Sequence, residues 1–214
     1  MRRLLALALL VLPAVLPAQQ DPDALVAKTS RLFRASTGFQ AEFRQRIEDP
    51  RVESSESRGT LYQSGDRFAM RFTDPKGGAF VLDGRFAWVY TPDESPEQVL
   101  RIPVQSTDRY ELNPIAFLLD RPAEKFRTTY LREEPVDGRM ADVVALDPLV
   151  GTMGFRRATL WIDRESGLPR RFAIDEKLYV RHITLSRIRT NGTIPRSVFT
   201  FTPPPGVRVI DQEL

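Results

Sequence analysis

Short alternating runs, cut by glycine, proline and aspartate at intervals of roughly eight to twelve residues, constrain this chain most strongly. "FQAEFRQRI" sets Phe39, Ala41, Phe43 and Ile47 against Gln40, Glu42, Arg44 and Arg46, the two-residue period of a strand with one buried face. "GTLYQSG", "DRFAMRF", "GGAFVLDG", "RFAWVYTP" and "EQVLRIP" follow. After an interruption the pattern resumes in "KFRTTYLRE", "ADVVALDP", "GFRRATLWID", "LPRRFAIDE", "YVRHITLSRIRT" and "RSVFTFTP". The spacing predicts a mainly β chain of about eleven strands arranged as an antiparallel meander.

Two segments break this pattern as helices. In "DPDALVAKTSRLF", Asp21 can cap, Pro22 suits the first helical position, and Leu25, Lys28, Thr29, Leu32 and Phe33 follow helical spacing. In "YELNPIAFLLDRP", Asn113 can cap, Pro114 can start, and a very apolar turn over residues 115–119 is ended by Pro122. The terminal "FTFTPPPGVRVID" predicts a last strand with Phe199 and Phe201 on one face, stopped by Pro203, Pro204 and Pro205 because proline carries no ladder donor. Gly206 then permits a turn before Val207, Val209 and Ile210 pack again. No repeat, low-complexity tract or linker divides residues 19–214, which read as one domain.

The chain opens "MRRLLALALLVLPAVLPAQQ": two arginines, an apolar run over residues 4–15, then small and helix-breaking residues. This is the layout of a secretory signal peptide over residues 1–18, with cleavage expected after Ala18. A membrane anchor is the alternative, but the run is short for a span and holds Pro13 and Pro17. Without Arg2 and Arg3, the 31 basic side chains become 29 against 28 acidic ones, so the charge gives no argument for nucleic acid. There is no cysteine. Stability therefore rests on the core without disulfides, and no lipid-modified cysteine can follow the leader, which predicts an exported, soluble periplasmic protein.

Catalytic equipment is sparse. One histidine and no cysteine exclude thiol chemistry and the common His/Cys zinc sites, and no G-x-S-x-G turn accompanies His182. His182 alternates within "YVRHITLS" and reads as an ordinary strand residue. Glu133 and Glu134, like Asp93 and Glu94, lie in polar turn-like stretches, and "NGT" at Asn191 reads as a hairpin turn. The chain reads as a non-enzyme with no cofactor.

Its surplus is apolar strand surface. "RFAMRF" sets Phe68, Met70 and Phe72 against Arg67, Ala69 and Arg71, while "RFAWVY" sets Phe86, Trp88 and Tyr90 against Ala87 and Val89, so that both faces are apolar. With two evident short helices to cover such a sheet, either an ordinary filled core or a hydrophobic ligand cavity satisfies the pattern.

In order along the chain, "FQAEFRQ", "GTLYQSGDRFAMRFTDP", "FVLDGRFAWVYTPDESPEQV", "LNPIAFLLDRP", "TLWIDRESGLPRRFAIDE" and "FTFTPPPGVRVID" resemble the LolA-type outer-membrane lipoprotein carriers over nearly the whole mature chain. The resemblance implies an incomplete antiparallel β-barrel under a helical lid. It also implies a non-enzymatic periplasmic carrier of acylated lipoproteins, served by an inner-membrane ABC release complex and an outer-membrane acceptor, without nucleic acid and as a monomer. The cavity is then expected at Phe43, Phe68, Met70, Phe72, Trp88, Tyr90 and Trp161, with Ile115, Phe117 and Leu118 as lid. The family keeps an arginine after the phenylalanine of its Phe-Arg-Trp strand to hold the lid shut. Here Ala69 stands in that place, and Arg71, on the same strand face, is the candidate substitute. The rivals are a related half-barrel that carries another lipid or senses lipoproteins in envelope stress, a secreted hydrolase using His182, and an interaction module with a filled interior.

Overall fold

The computed structural model describes residues 20–104, 112–151 and 153–212, so the expected leader lies outside the described residues. Helix α1 (Pro22–Ala35) starts as its sequence dictates, with the Asp21 carboxylate accepting from the backbone N–H of Asp23 at 3.0 Å and Ala24 at 3.3 Å. Six strands follow: β1 (Phe39–Glu48), β2 (Ser55–Ser64), β3 (Arg67–Asp74), β4 (Ala79–Leu82), β5 (Phe86–Tyr90) and β6 (Gln98–Pro103). Helices α2 (Pro114–Leu119) and α3 (Pro122–Lys125) lead to β7 (Phe126–Val136), β8 (Arg139–Pro148), β9 (Arg157–Asp163), β10 (Pro169–Asp175) and β11 (Val180–Thr190). Pro122 therefore starts a further helical turn instead of only ending α2.

The end of the chain departs from expectation. Residues Arg196–Phe199 form a 3-10 turn and "TFTPP" runs on outside any ladder, while the strand forms later, as β12 (Arg208–Asp211). Asn191 does not turn a hairpin. At φ 62° it ends β11 and hands the chain to this terminal segment, its side-chain oxygen accepting from Thr37 N–H at 3.2 Å.

The twelve strands of the described residues form one sheet in the order β12-β6-β5-β4-β3-β2-β1-β11-β10-β9-β8-β7. Two meanders, β1 to β6 and β7 to β11, are joined by the antiparallel pairing of β1 with β11, where Phe43 faces Leu185 and Ile47 faces Arg181. β7 and β12 are the two ends and do not pair, so the sheet stays open. β12 covers the edge of β6 in parallel register, and Arg101 clamps it through Asp211 at 2.6 and 2.8 Å. The free edge at β7 carries a register break between Tyr130 and Arg132, charges and Pro135, features that discourage pairing with another chain.

The inward face of both meanders builds one core with α1 and α2, including Phe39, Leu61, Phe68, Leu146, Leu160, Phe172, Ile183 and Leu118. Close strand approach has a local requirement at Gly59, where a Cβ would lie 2.0 Å from the Arg71 carbonyl oxygen, at the β2–β3 register break. The β9–β10 turn is organised by Asp163, 1% exposed, which accepts from Arg139 Nε at 2.7 Å, Arg170 Nε at 2.7 Å and Ser166 N–H at 2.7 Å. The turn in turn presents the Gly167 carbonyl to the Thr29 hydroxyl of α1 at 2.9 Å, tying helix to sheet.

Hydrogen bonding from Arg139 holds the Asp163 carboxyl well below the usual carboxylate range, against the opposing effect of burial and with help from Ser166 and Arg170. Because the folded value is depressed, this stabilisation is fully present above the ordinary carboxylate range near pH ~4 and is lost as pH falls toward the folded value. Asp163→Asn should cost at least about 2 kcal/mol at pH 7, read by urea unfolding, and the gap to the unsubstituted chain should narrow at pH ~2. Equal stability at pH 7 would show that the network is idle.

Candidate functional site

Strand alternation places Phe68, Met70 and Phe72 of β3 on the inner face, with Phe80 of β4, Val89 of β5, Ile174 of β10 and Ile183 of β11 beside them. These side chains line a cavity of about 320 Å³ that also reaches Ile47, Gln45 and Ser57 at the ends of β1 and β2, and Pro114 at the start of α2. Its apolar wall is aromatic: Phe68 and Phe80 lie 6.0 Å apart, and Phe43, in the same core, meets Phe72 edge-on at 5.2 Å and 83°. The cavity is thus empty space left between two well-packed halves, at the lower end of the volumes that hold small apolar ligands.

Helix α2 covers part of this face. Ile115 and Leu118 are buried in the core, and Phe117 packs in a ring cluster with Phe126 and Phe155, each at 6.3 Å. Asn113 caps the helix by accepting from Ala116 N–H at 3.1 Å, and its amide donates to the side-chain oxygen Oε1 of Gln63 at the end of β2. The Ser30 hydroxyl of α1 donates to the Leu119 carbonyl at 2.6 Å. Helix α2 is therefore fastened at its start to the sheet and at its end to α1.

Of the expected cavity residues, Phe43 packs against Phe72 without lining the cavity, Trp88 and Trp161 face elsewhere, and Tyr90 reaches it only at its edge. Trp88 points to the outer face, 5.8 Å from Phe201, with its indole N–H donated to Asp83 at 2.9 Å. Tyr90 shares that side, 5.7 Å from Phe201, and only borders the cavity where β5 ends. Trp161 belongs to a separate outer cluster with Val136, Ala141 and Val143, under the Arg171 guanidinium at 5.3 Å. On β5 it is the smaller pair, Ala87 and Val89, that faces inward.

Arg71 does not hold the lid. Its guanidinium crosses the outer face and donates to the carbonyls of Val198 at 2.8 Å and Thr200 at 2.5 Å. Burial pulls its pKa down without a carboxylate to offset it. Ala69 lies in the same outer cluster, beneath Phe199, so an arginine there would also face away from α2. What sequence reasoning missed is Gln63, on the inner face two residues beyond Leu61, which meets Asn113.

At the cavity mouth stands one compact polar group. Arg181 donates through Nε to Glu176 at 2.8 Å and through Nη2 to the Tyr179 oxygen at 3.3 Å, while the Tyr179 hydroxyl donates to Glu176 at 2.6 Å. Burial works against the Arg181 charge, but the hydrogen bond and charge of Glu176 outweigh it and raise the pKa. His182, one residue on, faces outward 3.5 Å from Glu48 and is not part of the cavity wall. Among the described residues no cluster of His, Cys, Asp or Glu could hold a metal, and no helix is long and apolar enough to cross a membrane.

An open antiparallel sheet curled around an apolar cavity and covered by a tethered helix defines a half-barrel binding protein. The family model described as "Outer membrane lipoprotein carrier protein LolA" matches residues 34–202, and the chain belongs to that family. The outer-membrane lipoprotein carrier proteins of Salmonella paratyphi A and Salmonella typhi are each 25% identical over 212 residues, covering 97% of this chain and 98% of theirs. Among solved structures, an uncharacterized conserved protein from Thermus thermophilus matches with a TM-score of 0.56 at 15% identity, over 90% of this chain and 100% of that one. The lipoprotein LppX of Mycobacterium tuberculosis matches with a TM-score of 0.50 at 16% identity, over 82% of this chain and 99% of that one. MucB matches with a TM-score of 0.51 at 19% identity, over 87% of this chain and 64% of that one. These structural likenesses establish the half-barrel fold.

Because both tryptophans lie outside the cavity, filling it with an acylated peptide should leave intrinsic emission nearly unchanged. Phe80→Trp, placed on the wall, should add a saturable blue shift. A response from Trp88 or Trp161 without one from position 80 would move the binding site to the outer face.

Proposed function

We propose that this protein is an exported periplasmic carrier that takes acylated lipoproteins from an inner-membrane release complex to an outer-membrane acceptor. The observation that carries the proposal is the unfilled aromatic cavity on the inner face, bordered by Phe68, Met70, Phe72 and Phe80. An acyl chain in water costs about 0.8 kcal/mol per CH₂, so a lipoprotein leaving one membrane needs an apolar surface to cross to another. The family membership supplies the reading of cargo and direction, and the fold supplies the pocket. Chains longer than the closed cavity accepts would require α2 to swing away from the core. Ile115, Leu118 and Leu119 would then release their apolar contacts to the cargo, and the Asn113–Gln63 hydrogen bond would be the latch that breaks. Mono-acyl or non-protein lipid cargo would leave the same pocket in use but remove the transfer step.

Spheroplasts of a Gram-negative host making a labelled lipoprotein provide the test. Added protein should release the lipoprotein into the soluble fraction, and Phe72→Arg should abolish release while keeping the fold. Gln63→Ala, which leaves the Asn113 cap intact, should raise hydrogen exchange over residues 112–120 by several-fold, in line with a lost hydrogen bond of about 1 kcal/mol. Free lipid recovered from the pocket without lipoprotein release would favour a lipid carrier or sensor instead.

A further inference from the structure

The two ends of the half-barrel differ in their turns. At one end, residues 65–66, 83–85, 137–138 and 164–168 join successive strands, and no large apolar side chain of these turns is exposed. The four most exposed large apolar side chains among the described residues all stand at the other end: Val52 at 65%, Leu178 at 59%, Val150 at 54% and Leu149 at 51%. They belong to the turns that join β1 to β2, β10 to β11 and β8 to β9. These turns are fixed by hydrogen bonds. Val52 N–H donates to the Asp49 carbonyl at 3.2 Å, in a turn whose Asp49 carboxylate accepts from Arg51 N–H and Nε, each at 2.9 Å. Leu178 N–H donates to the Glu176 carbonyl at 2.8 Å, and Leu149 N–H to the Lys125 carbonyl at 2.9 Å. Strands β2, β1, β11, β10, β9 and β8 are consecutive in the sheet, so the three tips are neighbours along one rim, about 10 Å apart by the spacing of strands. The same rim is the mouth of the cavity, which is lined by Ile47 and Ser55 beside the first of these turns and by Glu176 and Arg181 at the β10–β11 turn. Apolar tips and apolar cavity therefore open in the same direction.

We propose that these three tips enter the outer layer of a zwitterionic bilayer, in a shallow and reversible insertion that sets the cavity mouth against the lipid. The inference deepens the carrier reading and rests on it for what passes through the mouth. Shape favours a lipid layer. The tips stand singly, with exposed polar side chains such as Arg51, Glu53 and Lys177 beside them. A protein partner would need a separate matching pocket for each, whereas an acyl layer accepts an aliphatic group wherever it enters. Charge selects the kind of surface. Across the five turns of this rim, residues 49–54, 75–78, 91–97, 149–156 and 176–179, Arg51, Lys76, Arg156 and Lys177 stand against six carboxylates, so there is no excess of positive charge to draw the rim to an anionic surface. Three of those carboxylates, Asp93, Glu94 and Glu97, sit on the β5–β6 turn, which carries no exposed large apolar side chain and stays in water. The rim is thus seated on one side, by the turns of β1–β2, β10–β11 and β8–β9. An acyl chain passes from the layer to the wall of Phe72, Ile174 and Ile183 without exposing its methylenes to water.

The chain has no cysteine, so a single introduced one labels cleanly. An environment-sensitive NBD group on Leu178→Cys, Val150→Cys or Val52→Cys should shift to the blue and brighten at least about two-fold when phosphatidylcholine vesicles are added, with no cargo present. The same group on Asp66→Cys, in a turn of the opposite end, should not respond. Adding phosphatidylglycerol to the vesicles should not strengthen the response. Val52→Ser, Val150→Ser and Leu178→Ser combined should lower the vesicle-bound fraction about ten-fold in flotation. Binding of a palmitoylated peptide in solution should stay within about two-fold, because none of the three lines the cavity. Silence at all three tips, an equal response from Asp66→Cys, a response confined to anionic vesicles, or a triple variant that floats as the unsubstituted protein does would each overturn the inference. Loss of lipoprotein release from spheroplasts in the triple variant, when the unsubstituted protein ignores vesicles, would overturn it in favour of a protein partner. A palmitoylated peptide that fails to bind in solution while the tips still insert would remove the carrier reading and leave the seating on lipid in place.

Discussion

The pairing of β1 with β11 is the contact on which the rest of the molecule depends. It places the first meander beside the last strand of the second, so β6 and β7, adjacent in sequence, come to lie near opposite ends of one sheet. Whatever joins them must span the width of that sheet. An apolar helix in this connection, Pro114–Leu119, therefore lies over the inner face, and its burial of Ile115, Leu118 and Leu119 follows from topology as much as from composition. A helix laid over the inner face is the geometrical consequence of a meander cut in two and rejoined at its middle.

Openness follows from the same arrangement. Because β7 and β12 remain apart, the sheet has two edges to protect and an inner face too broad for the helices among the described residues to fill. The edges are handled separately: β6 is capped by the tail strand under the Arg101–Asp211 pair, and β7 by charge, a register break and proline. The unfilled part of the inner face becomes the cavity. Its wall loses dispersion partners that a filled core would supply, a cost that bound apolar cargo would recover. Packing elsewhere, with Asp163 tying the β9–β10 turn to α1 through Gly167, holds the two halves without closing that space.

Much of this was legible in the sequence because a two-residue period and turn residues are local signals. Asp21, Asn113 and the alternation of Phe68, Met70 and Phe72 led directly to α1, α2 and the inner face of β3. The faces of β5 were not legible. Trp88 and Tyr90 are larger than Ala87 and Val89, so size alone sends them inward, but the cover on their outer face comes from Phe199 and Phe201, more than a hundred residues away. The same distant segment explains Arg71, whose partners are backbone carbonyls with no side-chain signature. Trp161 fails for a related reason: "TLWID" places Leu160 and Ile162 on the other face, and two apolar neighbours within one strand cannot both be inside. "FTFTPPP" alternates like a strand, yet its rings pack onto the outer surface of β5 and its prolines keep it out of the ladder.

Photocrosslinking in cells tests most directly whether the inner face is where an acyl chain travels. p-Benzoylphenylalanine replacing Phe72 or Phe80 should form a covalent adduct with a lipoprotein that depends on its acylation, while the same group replacing Phe201 on the outer face should form none. Adducts from position 201, or acylation-independent adducts from all three, would contradict an inner-face carrier.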